Sequence, residues 1–165
     1  MNLPESGDPV KLLSFELIES LLKKAAASPR QRTNFNFHPN LNDNPHRFLN
    51  VMIQGTYFTP HRHLRPPKAE SFVVLQGRIA FFIFEENGDI REHHILGEDG
   101  KIGIDIAAGL WHTIVVLSPH AVCFEVKPGP YDPKEDKEFA PWAPSEGGAG
   151  TEEYTRSLLS RISLS

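Results

Sequence analysis

Three side chains able to hold a metal stand close together in the stretch GTYFTPHRHLRPPKAESFVVLQG: His61, His63 and Glu70. On a strand, side chains at i and i+2 share a face, so His61 and His63 point one way and Arg62 the other. Glu70 opens the next apolar run, ESFVVLQG, after a loop carrying Pro66 and Pro67. If the two segments pair as a hairpin, the carboxylate comes alongside the imidazoles. Two imidazoles and a carboxylate suit a divalent transition metal. The fourth candidate is His112, in AAGLWHTIVVL, which follows a glycine turn and begins an apolar strand, as His61 does. Three histidines and a glutamate leave a six-coordinate ion with two open positions, enough for a bidentate ligand or for water plus ligand. The donor set admits iron, manganese, nickel, cobalt or zinc.

A second group has binding rather than ligating character. In RTNFNFH, the polar Arg32, Asn34, Asn36 and His38 alternate with Thr33, Phe35 and Phe37. That is a strand with one polar and one mainly apolar face. Its guanidinium, amide and imidazole groups suit hydroxyls or carboxylates. Such a face is either simply solvated or, in a closed barrel, meets a dimer partner or lines the lumen and contacts a substrate, with His38 then the candidate proton carrier in catalysis. The remaining histidines read differently. His93 and His94 are adjacent, so they face opposite sides of a strand and cannot share a site. His46 and His120 lie in turn-like contexts and are expected to be solvated. Cys123, in AVCFEV, is expected to pack as a small apolar side chain.

These side chains need a scaffold, and the pattern of the chain supplies one. SFELIESLLKKAAA (14–27) reads as a helix with Leu17, Ile18, Leu21, Leu22 and Ala25 in one stripe, Ser14 as its cap and Pro29 as its stop. From residue 32 the period becomes two. Further strands are expected near 49–58, 70–76, 78–84, 90–96, 102–106, 112–117 and 121–127, punctuated by QGR, ENGD, GEDGK, AAGLW and LSPH. Short strands at this spacing, with no regular alternation of strand and helix, point to a closed barrel or jelly roll. After residue 127 the chain turns proline-rich but keeps Tyr131, Phe139 and Trp142, the mark of an extended arm laid on the barrel or on a second subunit. EGGAG then hinges into a short terminal helix within TEEYTRSLLSRI. The expected organisation is one domain over 1–165: a helical region at 1–30, a barrel core at 31–128 and an arm at 129–165.

Composition sets the outer limits. The chain has 165 residues, with 39% hydrophobic and 23% charged, as globular proteins do, and its 14 prolines and 11 phenylalanines favour turns and aromatic-filled strands over a helical bundle. A net charge of −4 gives no reason to expect nucleic acid or an anionic membrane as partner. Cys123 is the only cysteine, which suits the cytoplasm, and the start of the chain, with Glu5 and Asp8, has no apolar run to act as signal or anchor. The edge strands of such a sheet invite pairing, so a two-fold homodimer is expected.

The ligand pattern resembles the cupin superfamily. Its first motif runs glycine, five residues, HxH, a short spacer, glutamate, six residues, glycine; Gly55, His61, His63, Glu70 and Gly77 fill it, with a spacer of six residues where three or four is commoner. Gly109 and His112 fit the centre of the second motif, with Ala107 where proline is usual and Val116 where asparagine is usual. SPRQRTNFNFHPN, GLWHTIVVL and FEVKPGPYDPKEDKEFAPWAPSEG are similar to the WbuC family of cupin-fold metalloproteins, over roughly residues 14 to 146. The resemblance implies an all-β cupin jelly-roll β-barrel with an N-terminal helix and an extended C-terminal arm ending in a short helix. It implies one divalent metal on His61, His63, Glu70 and His112, and a small polar molecule as partner. Family members often occur in gene clusters for surface polysaccharide, so a sugar derivative is the first expectation. Two classes stay open: a metalloenzyme, isomerase- or epimerase-like or an iron-dependent dioxygenase, and a non-catalytic binding module.

Overall fold

The computed structural model describes residues 4, 7–97 and 100–162. In chain order it contains α1 (Phe15–Ala27), β1 (Arg32–Asn36), β2 (His46–Ile53), β3 (His61–Arg62), β4 (Glu70–Phe84), β5 (Ile90–Leu96), β6 (Gly103–Ile106), β7 (Trp111–Lys127), β8 (Glu138–Phe139) and α2 (Thr151–Leu159). Glu5, and Glu98 and Asp99 of the GEDGK turn, lie outside the described residues.

β4 and β7 form the spine. They run antiparallel from the Ser71–Val126 pair to the Phe84–Trp111 pair. Sequence periodicity divides each into two strands, at QGR and at LSPH. The structure keeps each as one long strand and bends both at the same place. Gly77 there has φ +75°, and a Cβ on it would stand 2.1 Å from the His120 carbonyl oxygen, so only glycine fits. The Ser118 hydroxyl accepts the Arg78 N–H at 2.8 Å across the bend. These turn residues curl a sheet instead of ending a strand. β2 begins three residues earlier than the pattern indicated and stops at Ile53, where a turn closes through the Thr56 N–H donating to the Ile53 carbonyl at 3.1 Å. β5 lies where expected, and the very short β3 and β8 carry no periodicity to detect.

Around this spine the strands form one curled antiparallel sheet, a half-barrel, with the order β1-β2-β7-β3-β8 and with β5 and β6 along β4. The architecture is the all-β cupin jelly roll with a helix at either end. Alternation along the strands sorts side chains into a lumen and an outer face. Met52, Phe72, Val74, Ile79, Phe81, Ile83, Ile114, Val116 and Cys123 fill one half of the lumen. Burial there pushes the Cys123 thiol up to about 12, which keeps it an inert packing group. Outside, α1 lays Leu17, Ile18, Leu21 and Ala25 over Leu49, Val51 and Val122. Each leucine, isoleucine or valine among them contributes roughly 1.5–3 kcal/mol when shielded. Ser14 caps the helix by accepting the Leu17 N–H at 3.2 Å.

The arm and α2 cover the other outer patch, where Ala140, Leu158 and Ile162 pack on Ala80, Phe82, Phe84 and Trp111. Of the three arm aromatics expected to be buried, Trp142 packs against Phe84 and Trp111, with ring centroids at 5.0 and 6.1 Å. Tyr131 and Phe139 depart from that expectation within one chain, being 38% and 59% exposed. Phe139 lies on β8, which is only two residues long and pairs with β3, and Tyr131 precedes it in the arm.

Candidate metal centre and the adjoining cavity

The other half of the lumen is polar. Strand pairing brings its parts together: His61 stands opposite His112 in the β3–β7 ladder, and Glu70 opens β4 on the neighbouring wall. The turn before β7 is tied to the HxH segment, because the Gly109 N–H donates to the His63 carbonyl at 3.1 Å. Donor atoms of His61, His63, Glu70 and His112 all lie within 4.8 Å of one another, and all four residues are buried.

Hydrogen bonding fixes which nitrogen each imidazole presents. The Nδ1 of His61 donates to the Thr59 carbonyl at 3.0 Å, that of His112 to the Leu110 carbonyl at 2.9 Å, and that of His63 to the Asp136 carbonyl. A carbonyl only accepts, so each Nδ1 carries the proton and each Nε2 is left as a lone pair. Those lone pairs face a carboxylate: Nε2 of His63 is 3.1 Å from one oxygen of Glu70, and Nε2 of His112 is 3.0 Å from the other. His63 Nε2 and Glu70 Oε2 are buried without a hydrogen-bond partner of acceptable geometry. Acceptors this close require a cation between them, either a proton or a metal ion. The residues fit a divalent ion, with carbonyl-oriented imidazoles of the kind that hold ligand rings in place.

Electrostatics agrees with that geometry. Burial pushes the His61 imidazole well below its ordinary range, with Lys137 and His112 adding to the effect and Glu70 opposing it. Burial alone would raise Glu70, but His112 and His63 overcome it and hold the carboxyl well below the usual range. A neutral imidazole beside an ionised carboxylate is the state a metal needs.

A set of charges invisible in the local sequence pattern stands behind the cluster. Lys68, from the proline-bearing loop, donates to Asp136 Oδ1 at 2.7 Å and to the Pro130 carbonyl at 2.6 Å. Lys127 donates to Asp136 Oδ2 at 3.2 Å and approaches Glu70 to 3.7 Å. Asp136 belongs to the arm, whose β8 pairs with β3, so the arm both buries a carboxylate and receives the His63 N–H. In KEDKEF nothing local distinguishes the inward Asp136 from the exposed Glu135. The signal is the long-range pairing. Lys137 follows it inward, half-buried, its amine lowered by burial and by Lys127.

Beside these charges a cavity of about 690 Å³ opens. All four polar residues of the β1 segment line it, as does His46. Asn34 and Asn36 are exposed at its mouth and His38 is buried. Arg32 is already engaged, donating to Thr56 Oγ1, the Tyr57 carbonyl and Glu146, and lying over the Phe58 ring. His46, expected in solvent, is buried and stacked on His38 at 3.9 Å, because its turn folds back under Leu41. Glu125 lines the cavity as well. Burial and the charge of Glu70 push its carboxyl up to about 8, and Asn50 donates to it at 3.4 Å. None of the four clustered residues borders this cavity; Lys127 and Asp136 form the wall between. His93 lies near Phe82 and His94 pairs with Glu92, on neither site.

A family model described as a domain of unknown function (DUF6016) matches residues 13–96. The chain belongs to that family. The DUF6016 match takes in His61, His63 and Glu70 but ends before His112. Among solved structures, the chain is similar to the capsular polysaccharide assembling protein CapF from Staphylococcus aureus, at 23% identity and TM-score 0.57 over 68% of this chain and 32% of that one. It is also similar to oxalate oxidase in complex with the substrate analogue glycolate, at 17% identity and TM-score 0.54 over 84% of this chain and 69% of that one. The chain spans about a third of the CapF chain. Both neighbours are cupin-fold proteins, and the likeness is one of fold. No curated protein matches the chain. No helix among the described residues is long and apolar enough to cross a membrane.

Proposed function

We propose that the chain is a metal-binding cupin of the WbuC type, holding one divalent transition metal on His61, His63, Glu70 and His112 and binding a small polar molecule beside it. One observation carries the reading: three imidazoles, each oriented by a carbonyl, aim unprotonated nitrogens at one another and at a buried carboxylate. When bound, such an ion supplies a positive charge that polarises a ligand oxygen. The chain's own groups do the rest. Asp136 orients His63, Lys127 holds Glu70 in place, and the β1 residues with Asn50 form the wall against which a ligand is fixed. His38 is the candidate to move a proton. A sugar derivative linked to surface polysaccharide is the favoured class, in keeping with the CapF neighbour and with a cavity in the size range of small-molecule sites. The cytoplasm suits a buried free cysteine. Exposed Val73 and Leu75 on β4 and Ile102 just before β6 offer an apolar surface for a two-fold dimer.

The test is elemental analysis of protein purified without an affinity tag, beside His61→Ala and His112→Ala. One ion per chain is expected in the wild type, and loss from both folded variants. Equal metal in all three would sink the assignment. Light scattering on the same wild-type preparation should give twice the 18.5 kDa chain mass, and a monomer at high concentration removes the dimer.

A further inference from the structure

Three polar groups on the wall of the 690 Å³ cavity lack partners. His38 Nδ1 stands 3.1 Å from both the N–H and the carbonyl of Arg47, and its Nε2 is buried and bonded to nothing. That is a group a hydroxyl satisfies in either tautomer. Asn50 is 6% exposed; its Nδ2 donates to Glu125, and its Oδ1 has no partner. That is an acceptor requiring a hydroxyl. Lys137 has no hydrogen bond or ion pair among the described residues, whereas the neighbouring Lys68 and Lys127 share Asp136. That is a cation requiring an anion. Leaving buried polar groups unpaired is costly, so His38 and Asn50, with the half-buried Lys137 amine on the same wall, describe what the cavity receives.

We infer that the cavity takes a small hydroxylated anion, its charge on Lys137 and its hydroxyls on Asn50 Oδ1 and His38 Nε2. The inference deepens the reading of this end of the lumen as a ligand site and narrows its ligand from polar to anionic. A carboxylate and a phosphate monoester both meet the requirement. Arg32 does not supply the charge, since its donors face Glu146, the Thr56 hydroxyl and the Tyr57 carbonyl.

Calorimetric titration of the metal-analysed protein with gluconate, glucose 6-phosphate and glucose tests this. At least one of the two anions should bind tenfold or more tighter than glucose, and which one does so identifies the charged group. Lys137→Met should abolish the preference with metal content and circular dichroism unchanged, and Lys137→Arg should restore it. Asn50→Leu, which removes the hydroxyl acceptor, should weaken the anion tenfold without touching the metal. Glucose binding as tightly as both anions, no binding by any of the three, or an unchanged preference in Lys137→Met overturns the inference. Anion preference in a chain that holds no metal would support it while removing the metal assignment. Full metal occupancy without anion preference would do the reverse.

Discussion

Two clusters of buried polar side chains sit against each other in the lumen, 3.7 Å apart at Lys127 and Glu70. They solve the problem of burial in opposite ways. Around Asp136 the polar atoms find partners: two lysines hold both oxygens of one carboxylate, and a backbone carbonyl takes a remaining lysine proton. Around Glu70 they do not: the Nε2 atoms of His63 and His112 face the carboxylate at 3.1 and 3.0 Å, and His63 Nε2 and Glu70 Oε2 have no hydrogen-bond partner. A completed cluster is structure. An incomplete one has the donors to hold a cation.

That contrast can be broken by experiment. Asp136→Ala strips both lysines of their counter-ion and should cost about 3–5 kcal/mol of stability, read by denaturant unfolding. A loss below about 1 kcal/mol would mean the lattice is not the completed cluster described.

Glu125 borders both clusters, and its titration shows which of them sets its state. Its folded pKa, about 8, lies above the 4.5 of the free group. Between those values the folded protein binds more protons than the unfolded chain, so stability falls as pH rises from about 4.5 to about 8. Glu125→Gln should flatten that slope in metal-free protein and gain on the order of a few kcal/mol at pH 8. An unaltered slope would show that Glu125 is already ionised, paired with Lys127. The smallest effect concerns the incomplete cluster. Metal at a hundred times its dissociation constant should raise wild-type stability by about 2.7 kcal/mol and leave His61→Ala where it was. A chelator should reverse the shift, and an identical shift in the variant would place the ion elsewhere.

What was legible in the sequence followed distance along the chain. α1 and its Ser14 cap, β5, and the alternation of Arg32, Asn34 and Asn36 against Phe35 are local patterns, and the fold keeps them. Turn residues misled where a bend resembles a turn: QGR and LSPH carry the same glycine and proline signals whether a strand stops or curls. His61, His63 and Glu70 declare themselves by spacing, and His112 by its glycine turn. Lys68, Lys127, Asp136 and Lys137 do not, because a charge in a lysine- and glutamate-rich arm turns inward only when β8 finds β3. His46 was hidden for the same reason, its burial depending on the loop at Leu41. Family-level similarity over 13–96 stops short of the same contacts.

The pairing of β8 with β3 also orders events in time. The carbonyl that orients His63 is 73 residues downstream of it. At about 5–20 residues per second of synthesis, roughly 4–15 s separate the emergence of the two. During that interval the HxH segment is exposed on the ribosome with no wall behind it and His63 unaimed. The four-residue centre is therefore completed only once Asp136 has followed His63 out of the ribosome.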